Sequence, residues 1–209
     1  MTADKERPCT SFAVTSAKPS EGKSLTAANI AISYAMLGKK VLLIDADMRK
    51  PTQRRLWRVE KPTGLCDFLA KISKLELDKV KDLPLWIVCT GTIPPNPSEL
   101  LSSERMKHFV EESAKVYDYI IIDTPPINTV ADAQIVSTYV DGVVLVVKSG
   151  NTTEDELNEA IDAVRRAGGN LCGTVLNGLN MKSVKNAYKY KYGGKYGYKY
   201  SYSESYEAR

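Results

Sequence analysis

With 209 residues, 43% apolar and 26% charged, the chain suits one globular domain with a sizeable core and a little chain to spare. No apolar run approaches the roughly 18 residues of a membrane span and no signal-peptide pattern opens the chain, so a soluble, cytoplasmic protein is expected. The net charge of +4 is unevenly placed: from Lys182 to Arg209 seven basic residues stand against two glutamates, a balance of +5, which leaves −1 for residues 1–181. Cys9, Cys66, Cys89 and Cys172, separated by 57, 23 and 83 positions, match no zinc or redox motif and are expected to be reduced core residues.

Six short apolar runs follow in order: Phe12–Ser16, Lys40–Ile44, Leu85–Thr90, Tyr119–Ile122, Val143–Val147 and Cys172–Leu176. Most are β-branched without polar alternation, the mark of strands buried on both faces. Helical patterns separate them, which predicts an α/β protein: a doubly wound, mostly parallel sheet with helices on both faces. Helix starts are expected at Asn96-Pro97-Ser98-Glu99, at Thr129…Asp132 and at Thr153…Glu156, the last a capping box. Gly38 and Gly168 fall where helices should stop. After Gly178 the pattern changes: residues 188–206 are built of Tyr, Lys, Gly, Ser and Glu, with no Leu, Ile or Val. Such a segment cannot offset its ordering entropy by burial. The expected organisation is a domain over residues 1–181 and a disordered, basic, tyrosine-rich tail over 182–209.

The Phe12–Ser16 strand runs into Ala17-Lys18-Pro19-Ser20-Glu21-Gly22-Lys23-Ser24 and then a helical pattern, the setting of a G-x-x-x-x-G-K-[ST] phosphate loop. Ala17 replaces the first glycine; Gly22, Lys23 and Ser24 match. Glycine lets the backbone approach phosphate, and successive N–H groups at the helix start form an anion cradle. Lys23 supplies a point charge to the β- and γ-phosphates, and the Ser24 hydroxyl is a magnesium ligand.

Two further strands end in carboxylates. Val41–Ile44 leads to Asp45-Ala46-Asp47-Met48-Arg49, and Tyr119–Ile122 leads to Asp123-Thr124-Pro125-Pro126. Ligands of open α/β sheets bind at the carboxyl ends of strands, so these carboxylates should converge with the loop on a magnesium nucleotide. ATP and magnesium are the expected cofactors.

The Lys23 loop, the Asp45-x-Asp47-x-Arg49 strand end and the Asp123-Thr-Pro-Pro loop resemble the Walker A, A′ and B motifs of bacterial tyrosine kinases (BY-kinases) of capsule and exopolysaccharide assembly. The resemblance runs from Phe12 over almost the whole chain. It includes Arg49-Lys50-Pro51-Thr52, Pro94–Leu100, Ala131-Asp132-Ala133 and the C-terminal tyrosines. It implies a P-loop kinase domain of deviant-Walker type that phosphorylates tyrosines of its own tail, mostly between neighbouring subunits. Lys23 would bind phosphates; Ser24, Asp47 and Asp123 would serve magnesium; Asp45 would be the base, and Arg49 would join Lys23 in neutralising charge. The acceptors would be Tyr188, Tyr190, Tyr192, Tyr196, Tyr198, Tyr200, Tyr202 and Tyr206. A tyrosine hydroxyl titrates near about 10, so a placed carboxylate assists its attack. The family further implies a transmembrane chain-length-regulator-type activator that recruits the kinase to the inner face of the plasma membrane, a cognate phosphotyrosine phosphatase, and self-association. The family's Glu-x-x-Arg-x-x-Arg helix is absent from Met1–Ser11, so a largely monomeric protein at low concentration is expected.

The alternative is a deviant-Walker ATPase of the partition or positioning type, whose extra loop lysine Lys18 resembles. Positioning ATPases end in an amphipathic membrane helix, where this chain has tyrosines and glycines. A tail that binds RNA or anionic lipid is the reading outside enzymology; no nucleic-acid partner is expected. Asn177 is placed either to contact adenine or to make an Asn turn. Arg49, Lys50, Arg54, Arg55 and Arg58 form either a solvated face or a dock for an acidic partner, and His108 is expected to be solvated.

Overall fold

The six apolar runs become strands of one sheet in the computed structural model of the chain, which describes residues 9–179. In chain order the elements are β1 (Ser11–Ser16), α1 (Lys23–Met36), β2 (Val41–Asp45), α2 (Gln53–Trp57), α3 (Leu65–Leu69), β3 (Asp78–Lys79), β4 (Leu85–Val88), α4 (Pro97–Ser102), α5 (Glu104–Ala114), β5 (Tyr119–Asp123), α6 (Asp132–Ser137), β6 (Gly142–Lys148), α7 (Glu154–Arg166) and β7 (Leu171–Asn177). All fourteen belong to one compact unit that ends at Gly178. The tail expected from residue 182, with all eight candidate acceptor tyrosines, lies outside the described residues.

The strand order is β3-β4-β2-β5-β1-β6-β7, parallel throughout except where the two-residue β3 pairs antiparallel with β4. Helices cover both faces, and unevenly. On one face α1 lays Ala27, Ala28, Ala31 and Ala35 over Val14, Leu43, Ile121 and Val146; small side chains let this helix lie close to the strands. The other face receives α3 to α7 over Leu42, Ile44, Ile120, Ile122 and Leu145, with Leu101, Met106, Val136 and Val164 filling the layer between. Burying Leu, Ile or Val side chains of this kind contributes about 1.5–3 kcal/mol each, which is why these central strands carry no polar alternation.

Three expectations need correction. First, β7 is not buried on both faces, for as an edge strand it leaves Cys172, Gly173, Thr174 and Leu176 exposed. Second, only Cys66 and Cys89 are core cysteines; Cys9 is half-buried and Cys172 exposed. Third, Thr129 caps nothing: α6 starts at Asp132, after Ala131, and the Asp132 carboxylate is drawn to Arg49 instead. The capping box at Thr153 and Glu156 does form, and Gly38 and Gly168 end their helices at φ 78° and 80°.

Candidate active site

β5 lies between β2 and β1, so the turns that leave the carboxyl ends of these three parallel strands stand side by side. Residues Asp45 and Asp123 are register partners. The hydroxyls of Thr15 and Thr124 brace the turns, donating to Pro125 O at 2.8 Å and Val14 O at 3.0 Å. A cavity of about 430 Å³ opens here, lined among others by Pro19, Ser20, Gly22, Lys23, Ser24, Asp47, Arg49 and Pro126.

The loop from Ala17 turns through two left-handed residues, Ser20 at φ 65° and Gly22 at φ 93°. A side chain at Gly22 would strike Asn177 as well as strain the backbone. Glu21 is wholly buried and holds the loop from inside: it accepts from Lys18 N at 3.0 Å and from the Thr152 hydroxyl. Asn177 donates Nδ2 to Glu21 O at 2.9 Å, while its Oδ1 accepts from Gly178 N. Its amide is thereby engaged at the back of the loop. Lys18 points away, donating to Asn151 O and pairing with Glu156 of α7 at 2.8 Å.

Lys23 Nζ sits 2.7 Å from Asp47 Oδ2 and 3.4 Å from Asp123 Oδ1, and donates to Ser24 Oγ at 3.2 Å. Burial alone would push the ammonium down, but Asp123, Asp47 and Asp45 outweigh it and hold it above the usual lysine range. Asp123 is raised by burial, with Lys23 opposing. Asp45 is pushed up to about 7 by burial and by neighbouring Asp123. One of its oxygens accepts from Thr52 N and Gln53 N at 3.0 and 2.9 Å; the other, Oδ1, is buried and unbonded. Asp47 lines the cavity, while Asp45 and Asp123, both wholly buried, lie behind its wall.

Gln53, which no sequence motif marks, is the hub behind these groups. Its Nε2 donates to Ser24 O and to Asp123 Oδ2, both at 2.9 Å, and its Oε1 accepts from Trp57 Nε1 at 3.0 Å. It joins the phosphate-loop helix to the carboxylate of β5. The only sequence signal was a glutamine in the basic, turn-forming stretch after Arg49.

Arg49 makes a two-point pair with Asp132, at 2.8 and 3.1 Å, and Ser98 Oγ bonds both. That bonding to Asp132 keeps the guanidinium above its ordinary range. Three stretches of the resemblance, around Arg49, Ser98 and Asp132, meet in this contact. Of the remaining basic cluster, Arg54 donates to Val59 O and Glu60 O, and Lys50 and Arg55 line the cavity. His108 is exposed on α5, as expected.

The donor set suits a magnesium nucleotide: backbone N–H groups at the start of α1, one lysine, and the oxygens of Ser24, Asp47 and Asp123, with an unbonded Asp45 oxygen behind. A protein-family model described as an AAA domain matches residues 10–170. With the parallel sheet, the Gly-Lys-Ser loop and the two acidic strand ends, the chain is a P-loop nucleotide-binding protein. It is 44% identical over 192 residues to tyrosine-protein kinase YwqD of Bacillus subtilis (strain 168), covering 91% of this chain and 80% of that one. It is 38% identical over 173 residues to tyrosine-protein kinase CpsD of Streptococcus pneumoniae serotype 4, covering 81% and 76%. The kinase domain of Escherichia coli tyrosine kinase ETK superposes with a TM-score of 0.81 at 31% identity, over 94% of this chain and 74% of that one. The chain belongs to the bacterial tyrosine-protein kinases. Among the described residues no helix is long and apolar enough to cross a membrane.

Proposed function

We propose that this kinase transfers the γ-phosphoryl group of magnesium-ATP to tyrosines of its own tail, within or between copies, and thereby regulates capsular or exopolysaccharide synthesis. The observation that carries the reading is Lys23 held between Asp47 and Asp123, a cation and two carboxylates poised where phosphates and magnesium would exchange partners with them. Magnesium would supply charge neutralisation to the transferred group, with Ser24, Asp47 and Asp123 as its protein ligands. Lys23 and the N–H groups of the loop bind phosphate. The acceptor tyrosine oxygen bonds to phosphorus as the bond to the leaving ADP oxygen breaks, and the hydroxyl proton goes to Asp45. Burial that raises Asp45 to about 7 suits it to accept and release a proton near neutrality. The two N–H groups it accepts from support a second role, that of positioning the 46–53 turn through Thr52 and Gln53.

The body tyrosines support the tail as acceptor. Tyr34 and Tyr119 stack at 3.9 Å, Tyr117 packs edge-on against Trp86, and Tyr139, two residues past α6, donates to Leu101 O. Eight of the twelve tyrosines fall at 188–206 instead. A transmembrane chain-length-regulator-type activator, holding the kinase at the inner face of the plasma membrane, and a cognate phosphotyrosine phosphatase complete the proposal. Lys18, on which the partition-type alternative rests, pairs with Glu156 of α7 in a partly exposed contact; the relatives named as tyrosine-protein kinases weigh against that alternative. Phosphopeptide mapping after incubation with ATP and magnesium tests the reading. Phosphate confined to 188–206, and lost when residues 188–209 are deleted with ATP binding unchanged, is expected. Labelling that persists in the truncated chain sinks the tail assignment.

A further inference from the structure

Cys9 and Cys172 are 163 positions apart in sequence, yet their sulfurs lie 4.0 Å from one another near the edge of the sheet. Cys172 is the second residue of β7, and Cys9 precedes β1 by two residues. Strand β6 runs between β1 and β7, and a side chain on it would ordinarily separate the two thiols. The residue there is Gly142, where an added Cβ would collide with Cys172 Sγ and crowd Cys9 Sγ. The meeting place exists because a side chain is missing. Cys66 and Cys89, by contrast, are buried in the core.

We propose that Cys9 and Cys172 are a modification site, a dithiol that hydroperoxides close into an intramolecular disulfide. Exposed Cys172 is the sulfur an oxidant meets first. Its thiolate attacks a peroxide oxygen, the O–O bond breaks, the departing hydroxide takes up a proton to become water, and the sulfur becomes a sulfenic acid. Cys9 then attacks that sulfur; its own proton leaves with the displaced hydroxyl as a second water. Two thiols and one hydrogen peroxide thus give one disulfide and two waters. Burial, Cys172 and Asp141 push the Cys9 thiol up to about 12, so Cys9 is the poorer first target for peroxide and its attack on the sulfenic acid is the slow step. Oxidation of Cys172 to the neutral sulfenic acid removes its charge from that balance, while burial, the larger cause, stays. A disulfide needs its sulfurs about 2 Å closer than they stand, and because β6 lies between the two strands, Cys9, which precedes β1, must shift its backbone towards β7 to close. Closure ties the root of β1, which feeds the phosphate loop, to the root of β7, whose far end sets Asn177 against that loop.

The test treats the reduced full chain with hydrogen peroxide, alkylates it and maps its peptides without reduction. Free thiols should fall from four to two, with one cross-linked pair of peptides carrying Cys9 and Cys172. The thermal midpoint should rise by roughly 5–15 °C, reversibly with dithiothreitol, because so long a closed loop restricts the unfolded chain. Cys9→Ser should leave Cys172 as a sulfenic acid that a dimedone probe traps, with no thermal gain, and Gly142→Ala should slow closure in a protein that still folds. Cys9 remaining alkylatable while Cys172 proceeds to sulfinic acid, or cross-links forming only between molecules, overturns the proposal.

Discussion

Lys23 is the counter-charge of two buried carboxylates as well as a phosphate ligand in waiting. Lys23→Met is expected to abolish phosphotyrosine formation. It should also cost about 3 kcal/mol of stability at neutral pH, since removing one partner of a buried pair leaves charge uncompensated. That loss, read by denaturant unfolding, should shrink as pH falls and the raised Asp123 carboxyl takes up its proton. Asp45 invites the opposite experiment. Its folded value of about 7 lies above the unfolded one of about 3.9. Between those values the native state holds a proton that the unfolded state has lost. Asp45 therefore costs nothing below the interval, and its penalty grows as pH rises through it. Asn keeps the acceptor for Thr52 N and Gln53 N and removes the charge. Asp45→Asn, measured without nucleotide, should change stability little at pH 4 and raise it by about 1–3 kcal/mol at pH 8. In the kinase assay it should spare nucleotide binding while transfer is lost; equal loss of both would make Asp45 a magnesium-shell residue rather than the base.

At the scale of elements, α7 offers the plainest test of local sequence. Thr153 accepts from Glu156 N at 3.3 Å and the Glu156 carboxylate from Thr153 N at 2.9 Å, the reciprocal pattern read in the sequence. Thr153→Ala should lower stability by about 1 kcal/mol, or roughly 2–4 °C in thermal midpoint, leaving the phosphate loop in place. Glu156 also pairs with Lys18, so Glu156→Gln should free that loop lysine at little further cost, the pair being partly exposed. Elements with a strong period, a cap or a glycine stop were legible: the six apolar strands, α7 and the end of α1. The two-residue β3 was not, because Asp78-Lys79 carries no alternation and exists only by pairing with Ile87 and Trp86. The site divides the same way. The loop and the acidic strand ends announce themselves by residue type and spacing, but Gln53 and the Arg49–Asp132–Ser98 contact join residues distant in sequence, and no local pattern records such a meeting. Asp132 showed this most directly, for a residue that reads as part of a helix cap is bound across the molecule by an arginine 83 positions away.

For the whole molecule, charge is divided between a body of −1 and a tail of +5. Each phosphotyrosine adds about −1.5 to −2, so three bring the tail near zero and five make it acidic. Any self-association that depends on the basic tail should therefore weaken with phosphorylation, and high salt should weaken the unmodified form as well. Light scattering of unmodified and phosphorylated protein at low and high salt reads this directly; equal association of both forms at low salt would exclude a charge switch.

The alanine face of α1 has a consequence for how the protein breathes. The same helix presents its first N–H groups to the phosphate site and supplies the layer over Val14, Leu43 and Ile121. Loosening the phosphate site by unwinding α1 therefore uncovers one side of the sheet. In native-state hydrogen exchange the central amides of α1, β1 and β5 should open together, with the free energy of global unfolding. Saturating nucleotide should slow all of them by one common factor, set by its concentration over its dissociation constant. If α1 exchanges well ahead of the strands beneath it, the phosphate site opens independently of the core.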